Sequence, residues 1–374
     1  DGLHLVGKGY LLWKHLVFPY VKDLAIQPSL LPLPVSLKWT GDLFPLTLTR
    51  KIYIRDTSLH SEAEYLHQKL EEKGLYTVIN EKDEEYSIEL RISKLKSFGN
   101  EEGYLVNVTN SKILVESNTP NGIFNGIQTI IQLARDGVFI DGCTITDWPA
   151  FSWRGYMIDV GRNYMSVAGL KEQIDVMALY KLNVFHFHVT EDIAWRLAIS
   201  RYPQLTAPEN MLRDKGLYYS KEEIRELIRY CRDRHIQFIP EIDMPGHSGA
   251  FKRAMHTDMQ SDSGLLIVTS ILKELCDSFD LSYIHIGADE VKITNPGFIP
   301  SISRFLQESG KKIIGWQPGG NFINNTIRQL WMSDQGDKDS TTHSFIDSRH
   351  LYINHMDPLE SVVTIFNRMI GDKE

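Results

Sequence analysis

Tyr283-Ile-His-Ile-Gly-Ala-Asp-Glu290 is a short apolar run that closes on two small residues and two adjacent carboxylates. Small residues leave room for a ligand. Like charges this close raise one another's proton affinity, so one carboxyl can stay protonated near neutral pH. A carboxylic acid beside a carboxylate is equipment for breaking an acetal bond. The same layout recurs on both sides of this stretch. Short apolar runs at 155–160, 183–189, 236–242, 283–287, 313–316, 328–332 and 351–354 alternate with helical stretches that include 168–181, 220–234 and 265–279. Strand-then-helix repetition implies a parallel sheet, and seven such units predict an α/β fold of the (β/α)8 TIM-barrel type. Seven strands are visible, and the eighth is expected from elsewhere in the chain or from residues beyond Glu374. The connection from His247 to Tyr283 reads as short for such a barrel.

Ahead of the barrel, assigned to 149–374, two further parts are expected. Residues 1–40 are irregular, with Pro28, Pro32 and Pro34 marking an extended connector. Residues 41–148 read as a small α+β domain. Its signals are an amphipathic helix at 61–72 with Ala63, Leu66 and Leu70 on one side and Gly74 as its stop, then strands at 86–92, 103–109 and 112–116. A helix follows at 121–135 with Ile123, Ile127, Ile130 and Ile131 on one face. No catalytic cluster is evident there. A formal net charge of −8 without basic runs argues against nucleic acid and anionic membrane surfaces as partners. No apolar run reaches the length of about 18 residues that a membrane span needs. Residues 1–21 lean apolar, but Lys8, Lys14 and His15 interrupt them, which makes a poor signal-peptide core. Cys143, Cys231 and Cys276 are far apart and form no CxxC, so neither a zinc site nor a disulfide framework is predicted. No cofactor is called for, and the oligomeric state is not legible.

Barrel active sites sit at the C-terminal ends of the strands. The first strand ends Ile-Asp-Val-Gly-Arg, giving Asp159 and Arg162. The second reads Phe185-His-Phe-His-Val-Thr-Glu-Asp192. His186, His188 and Asp192 share one parity, while Phe185, Phe187 and Val189 share the other, which suits a polar barrel interior backed by helices. The third, Pro240-Glu-Ile-Asp-Met-Pro-Gly-His247, brings Glu241, Asp243 and His247 near the mouth. The fourth ends in Asp289 and Glu290, the fifth in Trp316, the sixth in Trp331, and the seventh reads Leu351-Tyr-Ile-Asn354. Each has a plain structural reading: Arg162 as an ion pair, the tryptophans as core, Asp243 as a cap or histidine-orienting group. Together they describe a pocket for a polar, uncharged ring. His186-x-His188 also admits a metal pair and hence a metal-dependent amidohydrolase. Two further ligands at suitable spacing are not evident, so interior histidines satisfied by their neighbours are preferred.

At these residues the chain resembles glycoside hydrolase family 20, the exo-β-N-acetylhexosaminidases. The similar segments are Trp153-Arg-Gly-Tyr-Met-Ile-Asp-Val-Gly-Arg162, His186-Phe-His-Val-Thr-Glu-Asp192, Pro240-Glu-Ile-Asp-Met-Pro-Gly-His247, His285-Ile-Gly-Ala-Asp-Glu290 and Gly315-Trp316. The resemblance covers roughly residues 41–370 and implies a retaining hydrolase of terminal β-linked N-acetylhexosamine. Its chemistry is substrate-assisted, an exception to the two-carboxylate scheme. By that resemblance Glu290 is the general acid and later the base that activates water. The nucleophile is the substrate's own 2-acetamido oxygen, which closes to an oxazolinium ion. Asp289 orients the acetamido N–H, and Tyr352 hydrogen-bonds the acetamido oxygen. Arg162 binds ring hydroxyls. Asp192 and His247 hold and tune Glu290, with Asp243, His188 and Glu241 in support. Trp316 and Trp331 wall the sugar. A non-catalytic carbohydrate-binding relative is the alternative. The resemblance also implies an extracytoplasmic site of action.

The chain departs from the family pattern in places. Ala288 stands where a second Gly is usual and is expected to narrow the pocket floor. Ile193-Ala194 replaces the usual Gln-Gly, and neither a Trp shortly after the acid nor a Trp-x-Glu eighth strand is found. Asn354 replaces an Asp near the sugar's outer hydroxyls. That removes a negative charge, so a 6-sulfated sugar is expected to be tolerated.

Overall fold

The computed structural model describes residues 30–49, 51–80, 85–95, 100–134, 137–332, 344–353 and 358–367. The chain divides into two compact units at residues 152 and 153, with residues 176–182 grouping with the first. Among the described residues no helix is long and apolar enough to cross a membrane.

The first unit contains β1 (Ser36–Pro45), β2 (Lys51–Ile54), α1 (His60–Glu71), β3 (Val78–Asn80), β4 (Ser87–Ile92), β5 (Tyr104–Val108), β6 (Lys112–Ser117), α2 (Pro120–Leu133) and β7 (Phe139–Asp147). The seven strands form one mixed sheet in the order β1-β7-β5-β6-β4-β2-β3. Both helices and three of these strands follow the sequence periodicity. The others escaped it. β1, for example, interleaves exposed and half-buried positions without a clean alternation and bulges between Trp39 and Leu43. α2 begins where Thr119 accepts from Gly122 N–H at 3.1 Å and Pro120 occupies the first turn, and its buried Ile123, Ile127 and Ile130 pack on the sheet.

The second unit contains β8 (Gly155–Asp159), α3 (Val167–Leu179), β9 (Val184–His188), α4 (Lys221–Arg232), β10 (Gln237–Glu241), α5 (Gly249–Met255), α6 (Asp262–Ser278), β11 (Tyr283–His285), α7 (Phe298–Glu308), β12 (Lys312–Gln317), β13 (Ile327–Leu330), β14 (Phe345–Asp347) and α8 (Pro358–Asn367). The strands follow one another in sequence order, each parallel to its neighbour, as right-handed strand–helix repetition requires. This is the curled sheet of a TIM-type barrel. No eighth strand occurs among the described residues. α5 and α6 fill the connection from His247 to Tyr283 that read as short.

The seventh strand is a correction. It falls at Phe345–Asp347 rather than at 351–354. Pairing with β13 stops at Asp347, because Ser348 turns its N–H (3.0 Å) and its Oγ (2.6 Å) onto Leu330 O. Arg349 then folds back on the Asp347 carboxylate at 3.0 Å. Leu351 and Tyr352 lie beyond that turn, and Asn354 is outside the described residues. The apolar Leu-Tyr-Ile run imitates a strand without being one.

Register explains what the interior holds. Asp159, His188, Glu241 and His285 stand side by side on β8, β9, β10 and β11. One layer down His186 pairs with Ile239, which joins Val184 and Ile314 in an apolar cluster with Trp153, Tyr283 and Ile327 packed against it. The opposite parity gives Phe185, Phe187 and Phe238. These rings pack on one another, and Phe187 and Phe238 line one small cavity with Ile224 of α4 and Leu275 of α6. The expected division of parity is therefore found: polar groups inward, phenylalanines toward the helices.

Candidate active site at the strand ends

The loops after the strands converge on His247. Its Nδ1 lies 2.9 Å from Glu191 Oε1 and 3.7 Å from Asp192 Oδ2, and its Nε2 lies 3.9 Å from Asp289 Oδ2 and 3.6 Å from Glu290 Oε2. The imidazole thus links the ends of β9, β10 and β11. Glu191 also meets Arg162, whose Nη2 is 2.5 Å away, while the other arm of the guanidinium pairs with Asp159. The Arg162 side chain stays 44% exposed.

Glu191 is the residue the sequence reading missed. Parity favoured Asp192, but the strand ends at His188 and the alternation with it. Asp192 instead accepts from Gly249 N–H at 2.7 Å, anchoring the start of α5, and remains 56% exposed. Glu191 is 3% exposed. The available signal was two adjacent acids after a strand whose turn partner, Gly161, has no side chain. A Cβ at Gly161 would stand 2.7 Å from Glu191 Cβ.

The Asp289–Glu290 pair is set by backbone geometry rather than by strand parity. β11 ends at His285, and the chain then turns through left-handed conformations at Gly287 (φ +62°), Ala288 (φ +73°) and Glu290 (φ +46°), with His247 opposite at φ +41°. Such conformations cost a non-glycine residue roughly 1–3 kcal/mol, and they cluster at functional sites. At Gly287 the hydrogen is required twice over, since a Cβ there would lie 1.9 Å from Asp243 Oδ1. Asp243 Oδ1 accepts from Ala288 N–H at 3.1 Å, so the buried end of β10 clamps the turn of β11. The Ala288 methyl is fully buried, and a Cβ at Gly320 would meet it at 3.3 Å. It packs against the loop after β12.

Charge follows from this packing. The Glu191 hydrogen bond, against burial, lifts His247 to about 9. Burial pushes Glu191 up, but His247 and Arg162 override it and hold it below the usual carboxylate range. Burial, with the Glu241 charge behind it, raises Asp289 to about 6, against the pull of His247. Burial and then the Glu241 and Asp289 charges push Asp243 well above the carboxylate range. Asp289 Oδ1 is buried and has no hydrogen-bond partner, whereas the Glu290 side chain is 58% exposed. One carboxylate is thus partly withdrawn with an acceptor to spare, and its neighbour is open to solvent.

Beneath them Glu241 is fully buried. His188 Nδ1 hydrogen-bonds its Oε2 at 2.8 Å, His186 Nε2 lies 2.7 Å from the same oxygen, and Trp316 Nε1–H donates to Oε1 at 2.7 Å. Gly287 N–H donates to His285 Nδ1 at 3.1 Å, which makes that ring a neutral acceptor; burial holds it near about 4. Trp331 is half-buried and donates Nε1–H to Pro318 O at 3.0 Å. Tyr352 is 37% exposed, and burial followed by the Asp289, Glu241 and Glu290 charges raises its hydroxyl. Tyr352 thus lies within electrostatic reach of the carboxylate pair despite the displaced strand. Three groups of side chains approach metal-ligand spacing among the described residues: His186, Glu241 and His285; Glu191, Asp192 and His247; Asp243, His247 and Asp289. In the first, the Glu241 oxygens sit at hydrogen-bond distances from imidazole and indole nitrogens, so the carboxylate is already satisfied by protein groups.

Residues 27–148 match "Glycosyl hydrolase family 20, domain 2", and residues 151–264 match "Glycosyl hydrolase family 20, catalytic domain". The chain belongs to glycosyl hydrolase family 20. This family 20 chain is 29% identical to a beta-hexosaminidase of Porphyromonas gingivalis over 82% of its own length and 48% of the relative's. It is likewise 29% identical to a beta-hexosaminidase of Vibrio furnissii over 82% of its length and 60% of the relative's. It therefore spans about half the length of the curated relatives it matches. Among solved structures it is similar to an exo beta-N-acetylglucosaminidase of Vibrio harveyi in complex with N-acetylglucosamine, with a TM-score of 0.75, 26% identity, and coverage of 82% of this chain and 58% of that one. The catalytic-domain match ends before Asp289 and Glu290, whose place in the site rests on the strand-end geometry above.

Proposed function

We propose that the chain is a retaining β-N-acetylhexosaminidase that releases terminal N-acetylhexosamine from glycans by substrate-assisted catalysis. The observation that carries the reading is that Asp289 Oδ2 and Glu290 Oε2 approach the same imidazole nitrogen, at 3.9 and 3.6 Å. Two carboxylates beside one His247 Nε2 stand on the same side of any sugar in the pocket. Adjacent residues on one turn are poorly placed to flank opposite faces of a glycosidic bond, as the two-carboxylate scheme requires. The nucleophile then comes from the substrate, as its 2-acetamido oxygen.

In this reading the exposed Glu290 gives its proton to the departing glycosidic oxygen as the acetamido carbonyl oxygen bonds to the anomeric carbon. Asp289 accepts the acetamido N–H on its free Oδ1 and balances the positive charge of the oxazolinium. Water, deprotonated by Glu290, opens that ring and restores the configuration. His247 faces both carboxylates with Nε2, Glu191 holds its Nδ1, and Arg162 holds Glu191. Tyr352 supports the acetamido oxygen, and Trp316 and Trp331 supply apolar wall. The similar proteins of Porphyromonas gingivalis and Vibrio furnissii, both beta-hexosaminidases, support the same substrate class.

The test is hydrolysis of an aryl N-acetyl-β-glucosaminide by the wild type and by Glu290→Gln. Turnover by the wild type, a drop of about 10²–10⁴-fold in the variant and inhibition of the wild type by a thiazoline mimic of the oxazolinium are expected. A folded wild type that binds N-acetylglucosamine without turning the glycoside over would instead identify a binding relative.

A further inference from the structure

The mechanism leaves one buried charged group without a task. Glu241 sits below the carboxylate pair and touches no substrate, yet it is 0% exposed and carries four polar neighbours. Burial disfavours its charge, but the surrounding histidines hold it well below the carboxylate range. His188, lifted against burial to about 10 by the same carboxylate, supplies the compensating proton. An ionised Glu241 beside a cationic His188 and a neutral His285 is a buried pair with little net charge. Replacing such pairs by apolar residues of similar volume is often neutral or stabilising, so stability alone is a weak reason for one.

Its geometry gives a reason. Trp316 ends the fifth barrel strand, and its ring packs against His186 and His285 at 5.6 and 4.8 Å between centroids. Its backbone N–H donates to Gly287 O at 3.0 Å, within the turn that presents Asp289 and Glu290. The indole N–H is the one polar handle on the ring, and Glu241 takes it at 2.7 Å. A charge-assisted bond of that length fixes both the tilt and the depth of the indole. We infer that Glu241 is a positioning residue, fixing the Trp316 indole as a wall of the sugar subsite through the Nε1 hydrogen bond. This rests on the hexosaminidase reading above. His188 and His186 then serve Glu241, both lying against its Oε2 and leaving Oε1 to the indole.

A double-mutant cycle tests it. Glu241→Gln and Trp316→Phe are each expected to lower kcat/KM by about 10²-fold, the scale of misplacing a contact surface by ~1 Å. If Glu241 acts through the indole, the double variant is no worse than either single one within about threefold. Multiplying losses would overturn the inference, since neighbours that act through one contact do not add. Should Glu241→Gln fail to fold, the wild type carries the test. With 15N-labelled indoles, the Trp316 Nε1–H resonance, assigned by its loss in Trp316→Phe, is expected downfield and slow to exchange, and it should move on titration with N-acetylglucosamine. A Trp316 resonance that stays put at a sugar concentration that inhibits hydrolysis sinks the positioning role while leaving the enzyme reading intact. Absence of hydrolysis by the wild type removes the enzyme reading first, and the sugar role with it.

Discussion

His247 keeps its proton up to about pH 9 because a buried carboxylate, Glu191, accepts from its Nδ1. Its folded value stands above the unfolded 6.5, so the stability it contributes is fully present below about 6.5 and is lost as pH rises through about 9. Glu191 is held below its usual 4.5, so its share fades as pH falls through the acid range. Glu191→Gln should therefore lower the melting temperature most at about pH 6, with the gap to wild type closing toward pH 10. A gap that is flat with pH would show that the pair is not an ion pair. At this scale the sequence was readable where the strand still ran. His186 and His188 were placed inward by parity alone. Legibility ended one residue after the strand did, because alternation has no meaning in a loop, and Glu191 rather than Asp192 turned inward. Asp289 also reached the site, but by left-handed turns at Gly287 and Ala288 that no periodicity encodes.

Elements carry the residues, and their ends are where sequence chemistry is most explicit. α4 starts with a capping box. Ser220 Oγ accepts from Glu223 N–H at 3.2 Å, and the Glu223 side chain accepts from Ser220 N–H at 2.7 Å. Acidic residues fill its first turn, and Arg229 and Arg232 its last. Ser220→Ala is expected to cost about 1 kcal/mol and to lower the melting temperature by roughly 2–4 °C with KM for the glycoside unchanged. A changed KM would mean that α4 communicates with the mouth. That helix, like α3 and α6, was legible as a helical stretch between two short apolar runs. β14 was not, because three residues are too short to show a period, and the Leu-Tyr-Ile run nearby gave the stronger apolar signal. α5 escaped for the same reason of length, with seven residues.

Over the whole molecule, the alternation of strand and helix announced the parallel sheet, because each parallel connection must cross back over the sheet face. The mixed sheet of the first unit was only partly readable, since antiparallel partners distant in sequence, such as β1 and β7, leave no local trace. Of the histidine pair that first admitted a metallohydrolase, His188 stands in the row fixed by register across β8 to β11 and His186 one layer down, and both lie against Glu241, an acid that already holds the Trp316 indole. Exhaustive treatment with a chelator is accordingly expected to leave hydrolysis of the aryl glycoside unchanged. Activity lost on chelation and restored by zinc would revive the metal reading.

The contact between Gly287 and Asp243 Oδ1 also bears on how such a chain can diverge. With space for a hydrogen and nothing larger, position 287 is closed to drift as long as position 243 keeps its carboxylate, and the left-handed backbone adds a second barrier to any side chain. The two sites lie 44 residues apart, just past the ends of neighbouring strands, yet what position 287 can hold depends on position 243. Neutral variation can accumulate freely on the helices while this corner stays fixed. Descendants that lose the acid at 243 would be the ones released to explore a different turn, and with it a different reaction.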